Sequence, residues 1–262
     1  LDPYQYYSAG YACYLSDVNT MQDSWDIWDN HMSITNVKNG QIIGYKYFGF
    51  GGLKKAQKGL KPFEGTQKGN KTSFNLFLTP MTDASFKINI WLDGPWDNSV
   101  WKGKKIGEIT VPAGSIQEIT KYTIDVSEVV DKLDKKHAIF LVAESNSKEK
   151  LCVLQGLGFS KKGKSLEYPT VPTVEIMVDG KKVDLPTTPV RSTNANGITG
   201  FNQYETTYTI PANTTDMPRV SATSNNPSVR IDVIQPTSGN KKAVVNFEYK
   251  GTVKTYTILL AE

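Results

Sequence analysis

The residues of this chain best suited to chemistry are its tryptophans, and the chemistry they suit is non-covalent. All five lie in the first 101 residues, as a pair, Trp25 and Trp28, and a triplet, Trp91, Trp96 and Trp101. Trp96 and Trp101 stand among Gly, Pro, Asp, Asn, Ser and Lys, the composition of a surface loop. An exposed ring offers a flat, apolar partner one face, while nearby carboxylates and amides can hydrogen-bond its rim. A sugar ring fits that combination. Asp97 and Asn98 beside Trp96, and Asp26, Asp29 and Asn30 beside Trp28, are candidate hydroxyl-binding groups, with turn formation as the alternative. For Trp96 and Trp101 the alternative is a long loop that folds back and uses them as its own small core.

Bond-breaking chemistry finds little support. A nucleophilic triad needs a histidine, and the chain has only His31 and His137. No Gly-Xaa-Ser-Xaa-Gly elbow, phosphate-binding glycine loop or His/Cys metal cluster occurs. Glycoside hydrolysis needs two carboxylates on rigid elements facing each other across a cleft. The acids near the tryptophans fall mostly in loops. The chain alone is therefore expected not to be an enzyme, and it receives no catalytic residue.

Composition narrows the partners. With 39% hydrophobic and 21% charged residues the chain reads as globular, and a net charge of +4 is too mild to argue for nucleic acid. Its Lys-rich stretches, Lys54-Lys55, Lys102–Lys105 and Lys161–Lys164, read as solvated faces beside loops. No apolar run approaches the roughly 20 residues that span a bilayer, so membrane insertion is not expected. Cys13 and Cys152 are too few for a disulfide framework; they either pair with each other or remain two free thiols. A chain that opens at Leu1 without a signal peptide is a mature secreted form or a piece of a longer protein, and the second is favoured.

The elements that must position the tryptophans are strands. Phe86–Asp93 alternates cleanly: Phe86, Ile88, Ile90 and Leu92 face one way, Lys87, Asn89, Trp91 and Asp93 the other. Trp91 is thus expected on the polar face of a sheet. Similar runs are Ile42–Phe50, Thr72–Leu78, Lys105–Val111, Lys121–Val126, His137–Ala143 and Lys150–Phe159. Only Ser127–Leu133 looks helical, with Ser127 as its cap. After Phe159 the chain turns polar and Pro-bearing, which marks a linker. Beyond it, Val174–Val183 reads as a hairpin turning at Asp179-Gly180, and strands follow at Tyr204–Pro211, Arg219–Ser224, Val229–Ile234, Lys242–Tyr249 and Thr252–Leu260. The fold class is all-β. A jelly-roll sandwich over 1–163, a linker over 164–173 and a smaller immunoglobulin-like sandwich over 174–262 are expected.

Several segments resemble carbohydrate-binding module family 6, as appended to enzymes of glycoside hydrolase family 43. Leu1-Asp-Pro-Tyr4 resembles the passage from catalytic domain to module. Asn39–Gly51, with its Asn-Gly turn, tyrosines and Phe-Gly, is similar to an early strand of the module. Ile88–Asp93, Ile106–Ile109, Val111–Gly114, His137–Val142 and Leu151–Phe159 are similar to its later strands and turns, in order. The second part resembles the cadherin-like or immunoglobulin-like sandwiches that end many secreted bacterial polysaccharide-degrading proteins.

The resemblance implies a galactose-binding-like jelly roll that holds polysaccharide, an upstream catalytic domain in the parent chain, and secretion to the periplasm, cell surface or medium of a bacterium. Xylan or arabinan is the implied substrate class, and a monomer the implied state. It also implies a second binding site on the concave face of the sandwich, which suits Trp91 and Tyr45 or Tyr47. Trp25 or Trp28 falls where an edge aromatic belongs. Two departures matter. The family's calcium carboxylates are replaced by Ser8-Ala9-Gly10 and Gln155, so no cofactor is expected and the family's structural calcium, left open as an alternative, is put in doubt at its usual place. Its loop tryptophan is replaced at Ser115-Ile116, which removes half of the edge clamp. The candidate carbohydrate-binding residues are Trp91, Trp96, Trp101, Trp28, Trp25, Tyr45, Asp97 and Asn98. The competing readings are a structural pair of modules without sugar binding, and a surface adhesion protein.

Overall fold

Alternation along the strands decides the architecture. In a computed structural model, which describes residues 1–16, 19–23, 26–29, 31–57, 59–190, 192–193, 199–200, 202–212 and 216–261, the chain forms two compact units. The first comprises Leu1–Ser24 and His31–Pro169; the second comprises Trp25–Asn30 and Thr170–Glu262.

In the first unit the strands are β1 (Tyr7–Ser8), β2 (Tyr14–Leu15), β3 (Thr20–Asp23), β4 (Met32–Val37), β5 (Ile42–Gly49), β6 (Ser73–Pro80), β7 (Phe86–Asp97), β8 (Lys102–Val111), β9 (Thr120–Asp125), β10 (Lys136–Glu144) and β11 (Cys152–Ser160). A back sheet runs β3-β4-β11-β6-β9, with β1 also on β11, and a front sheet runs β2-β5-β10-β7-β8. Every pairing is antiparallel. Ile34, Phe74, Leu76, Leu78, Leu154 and Phe159 of the back sheet meet Ile43, Phe48, Ile88, Ile90, Ile139 and Leu141 of the front sheet in one core. This is a jelly-roll β-sandwich, and apolar burial between its two sheets holds it together.

The helix is shorter than the sequence suggests. The α-helix α1 covers Ser127–Val130, with single turns continuing to Leu133. Ser127 does not cap it: its side chain bonds the Asp125 carboxylate, its N–H donates to Asp125 Oδ1 at 2.8 Å, and these two bonds, the side chain's first, hold the Asp125 carboxyl below its ordinary pKa. Cys13 and Cys152 are both free thiols; Cys152 is buried, which pushes its thiol pKa up.

The second unit contains β12 (Val174–Val178), β13 (Lys181–Lys182), β14 (Ser192–Thr193), β15 (Thr199–Gly200), β16 (Gln203–Thr209), β17 (Val220–Ser224), β18 (Arg230–Ile234), β19 (Lys242–Tyr249) and β20 (Thr252–Ala261). Asp179 and Gly180 take positive φ of 49° and 74° in the β12–β13 turn, the conformation a tight hairpin needs. Its sheets run β13-β12-β17 and β16-β20-β19-β18, with the short pair β14-β15 separate. Ile176, Val178, Val220, Val245, Phe247 and Ile258 form its core, and Trp28 is buried among them. Among the described residues no helix is long and apolar enough to cross a membrane.

Candidate functional site

Trp91 lies where alternation places it, on the solvent side of the front sheet. There it meets a row of aromatics. Register sets Trp91 opposite Phe140 on β10, Phe140 opposite Gly44 on β5, and Gly44 opposite Tyr14 on β2. Phe140 lies edge-to-face with Tyr14 at 6.4 Å and with Trp101 at 5.7 Å between ring centroids. Trp91 and Trp101 pack against Ile42, Ala138, Phe140 and Val142, an apolar patch separate from the main core. Gly44 makes the row possible. A Cβ there would stand 2.8 Å from Phe140 Cε1 and 3.1 Å from Tyr14 Cβ, so any larger residue displaces a ring.

Trp101 reaches the row because the segment read as a loop is mostly hairpin. β7 continues through Gly94-Pro95-Trp96 to Asp97, which pairs with Lys102, so only residues 98–101 form the tip. Asn98 Oδ1 accepts the backbone N–H groups of Val100 at 2.9 Å and Trp101 at 2.7 Å, while Asn98 N–H donates to Trp101 O. Asn98 is thereby a turn former. A Cβ on Gly94 would meet Trp101 Cβ at 3.1 Å, so Trp101 folds directly over that glycine. Trp96 remains 41% exposed on the hairpin's shoulder, and Asp97 is exposed beside it.

Hydrogen-bonding groups border the aromatics. Glu108 sits between Lys87 and Lys105, each 2.8 Å away. These hydrogen bonds, Lys105's first, hold its carboxyl down at a pKa of about 2. Asn89 Nδ2 donates to Glu144 at 2.8 Å. Beyond the other flank, Asp93 is held by His137 Nδ1 at 2.7 Å and by the Ala138 N–H at 3.1 Å. Apolar faces framed by charged and amide groups can stack on a sugar and bond its hydroxyls.

Two expected binding residues are buried instead. Tyr45 points inward: it is fully buried in the core, and its hydroxyl donates to Ala9 O at 3.2 Å. The β5–β10 register shifts between His137 and Ile139, so Lys46 and Tyr47 are both exposed on the outer side, and of the two tyrosines Tyr47 is the one that meets solvent. Trp28 serves the second unit's core. Its Nε1 donates to Thr252 O at 3.1 Å, Tyr249 meets it edge-to-face, and Lys254 Nζ lies 4.2 Å from its ring centroid. Asp26 is no free hydroxyl binder either, since it pairs with Lys254 at 2.7 Å. Trp25 and Asn30 lie outside the described residues. Sequence reasoning passed over Tyr14, Gly44 and Phe140. The signal for Phe140 was present: Ala138–Ala143 is apolar at every position, which requires cover on both faces of the strand.

The calcium positions of the resemblance do adjoin, because Ser8 pairs with Gly156 next to Gln155. They bring no carboxylate. Gln155 donates its amide to Thr79 Oγ1 at 3.2 Å, and Tyr6 crosses the strand so closely that a Cβ on Gly156 would overlap its hydroxyl. This donor set does not fit a hard cation. Among the described residues no group of three His, Cys, Asp or Glu is placed to hold a metal.

No protein-family model and no curated protein matches the chain. Solved structures do. A glycoside hydrolase family 43 arabinoxylan arabinofuranohydrolase from Bacillus subtilis, in complex with cellotetraose, aligns at 19% identity and a TM-score of 0.45, covering 62% of this chain and only 28% of that one. A family 6 carbohydrate-binding module from Clostridium cellulolyticum, in complex with xylose, aligns at 20% identity and a TM-score of 0.42, covering 62% of this chain and 100% of the module. CsCBM6-3 from Clostridium stercorarium, in complex with cellobiose, aligns at 15% identity and a TM-score of 0.41, covering 62% of this chain and 96% of the other. At this level of similarity none of their ligands or activities transfers to this chain.

Proposed function

We propose that the first unit is a noncatalytic carbohydrate-binding module that holds a polysaccharide on the solvent side of its front sheet. The aromatic row carries this reading: Tyr14 from β2, Phe140 from β10, Trp91 from β7 and Trp101 from the hairpin tip converge on one face. Stacking there supplies apolar contact, and Lys87, Lys105, Glu108 and Glu144 lie within the same sheet to bond hydroxyls. The ligand class is neutral plant-type polysaccharide such as xylan or arabinan. In the wider reading, the chain is the C-terminal part of a secreted bacterial glycoside hydrolase of the family 43 type, monomeric, with its catalytic domain upstream. The second, immunoglobulin-like unit serves as an accessory. One observation favours a purely structural role instead: Trp101 already packs edge-to-face on Phe140 and covers part of the platform itself.

Affinity electrophoresis in gels holding xylan, arabinan or cellulosic glucan separates these readings. Wild type is expected to be retarded by at least one glycan. Trp101→Ala and Tyr14→Ala should each weaken retention by about 1 kcal/mol, roughly fivefold, with far-UV circular dichroism unchanged. A wild-type protein that no neutral glycan retards would leave the structural reading standing.

A further inference from the structure

The lysines are not spread evenly. Segments 51–71 and 160–167 hold nine of them against two acids, Glu64 and Glu167, a local excess larger than the +4 of the entire chain. Described residues of the two segments meet in the fold: Lys162 N–H donates to Asn70 O at 2.9 Å and Lys161 Nζ lies 3.1 Å from Glu64. Between them is a cleft of about 600 Å³, lined by Tyr4, Phe63, Glu64, Lys161, Lys164 and Ser165 among others.

Its walls are pinned. Tyr4 Oη accepts from Asn70 Nδ2 at 2.9 Å and lies 3.1 Å from Thr72 Oγ1, and that hydroxyl donates to buried Asp131. On the other wall, Lys121 Nζ donates to Ser165 Oγ at 2.7 Å and to Leu166 O at 3.0 Å. Lys161 holds its ammonium 4.6 Å from the centroid of the Tyr4 ring.

Glu64 shows what this cleft attracts. Its side chain is 79% exposed, yet its carboxylate rests on Lys161 at the cleft wall. Lys164 has no ion pair among the described residues. We propose that the cleft is a second binding site, for a carboxylate-bearing sugar: a uronate residue of an acidic polysaccharide. The ligand carboxylate takes Lys164 and displaces Glu64 from Lys161, with the sugar ring against Phe63. A uronate carboxylate needs only neighbouring ammonium groups such as Lys161 and Lys164, whereas tracking a nucleic-acid backbone takes a positive groove with stacking platforms for successive bases. That the ligand is a sugar rests on the function proposed above, but the two sites share no residue and fail separately.

The experiment is affinity electrophoresis of the full chain in polygalacturonate, neutral xylan, dextran sulfate and single-stranded DNA. Polygalacturonate should retard the protein at about 0.01 M salt and lose most of that effect at about 1 M, where the screening length falls to about 3 Å. Lys164→Gln should weaken retention about threefold and Lys161→Gln/Lys164→Gln about tenfold, while Glu64→Gln, which removes the competing carboxylate, should tighten it about threefold. Lys164 and Glu64 face solvent, so both single variants are expected to fold. The proposal is overturned by an absence of retardation in polygalacturonate, by equal or stronger retardation in dextran sulfate or DNA, or by a Glu64→Gln variant that binds less tightly. Neutral xylan reports the sheet face alone.

Discussion

Glu108 ties the aromatic face to a measurable titration. Lys105 and Lys87 each reach it at 2.8 Å and pull its carboxyl from an ordinary 4.5 to about 2. A depressed carboxylate adds stability above the unfolded value of 4.5, and that contribution is lost as the pH falls through about 2. Because all three side chains meet solvent, the contribution is small and weakened by salt. A carbon-detected NMR titration should place the Glu108 midpoint near 2, with Lys87→Met moving it back toward 4.5. A midpoint at the ordinary value in the wild type would remove this ion cluster from the site. At the same scale, the outward direction of Trp91 was legible because strand alternation has a period of two. Tyr45 and Tyr47 were not separable in sequence: two residues apart, they share a face by period two, and only the extra residue in β5, where Lys46 and Tyr47 oppose the single Ala138 of β10, breaks that period. Gly44 was equally hidden, because its role depends on two rings from other strands.

The β7–β8 hairpin is the element on which the site depends. Gly94 and Gly103 face each other across it: a Cβ on Gly103 would stand 2.2 Å from Gly94 O and 2.8 Å from Trp96 O. Contacts that close cannot relax by rotating a side chain, since both partners are backbone. Gly103→Ala is therefore expected to spread the hairpin, lift Trp101 from Phe140, and cost about 1–3 kcal/mol of stability. Binding to neutral glycan should fall, and tryptophan emission should shift to the red as Trp101 gains solvent. An unchanged emission spectrum together with unchanged glycan retention would mean the hairpin does not position the ring. Gly-Pro with neighbouring Asp and Asn reads as a loop, and local composition gave no sign that pairing resumes at Asp97 and Lys102. By contrast Asp179-Gly180 was legible as a turn because both residues tolerate the positive φ that the turn requires.

At the scale of the molecule, the position of Trp28 in the chain and its position in the fold disagree. It precedes β4 in the chain and is flanked by first-unit sequence, yet it belongs to the second unit's core. The sequence from Thr170 onward contains no tryptophan, and its Lys254, only 5% exposed, relies on Asp26 of the same short segment as Trp28 for its counter-ion. A sequence division at the polar stretch after Phe159 cannot reveal this, because hydrophobic pattern reports that a residue is buried and not which core buries it. Trp28→Ala in the full chain is thus expected to destabilise the second unit by about 3–5 kcal/mol, the cost of emptying a large buried site. Hydrogen exchange resolves where that cost falls. Amides of β19 and β20 should lose protection, while those of β7 and β10, buried around a separate core, should keep it. A fragment beginning at Thr170 lacks both Trp28 and Asp26 and should melt below the same unit in the full chain. Equal protection of β19 and β20 in wild type and variant would show that Trp28 is dispensable there, and would return it to the list of candidate sugar-binding residues.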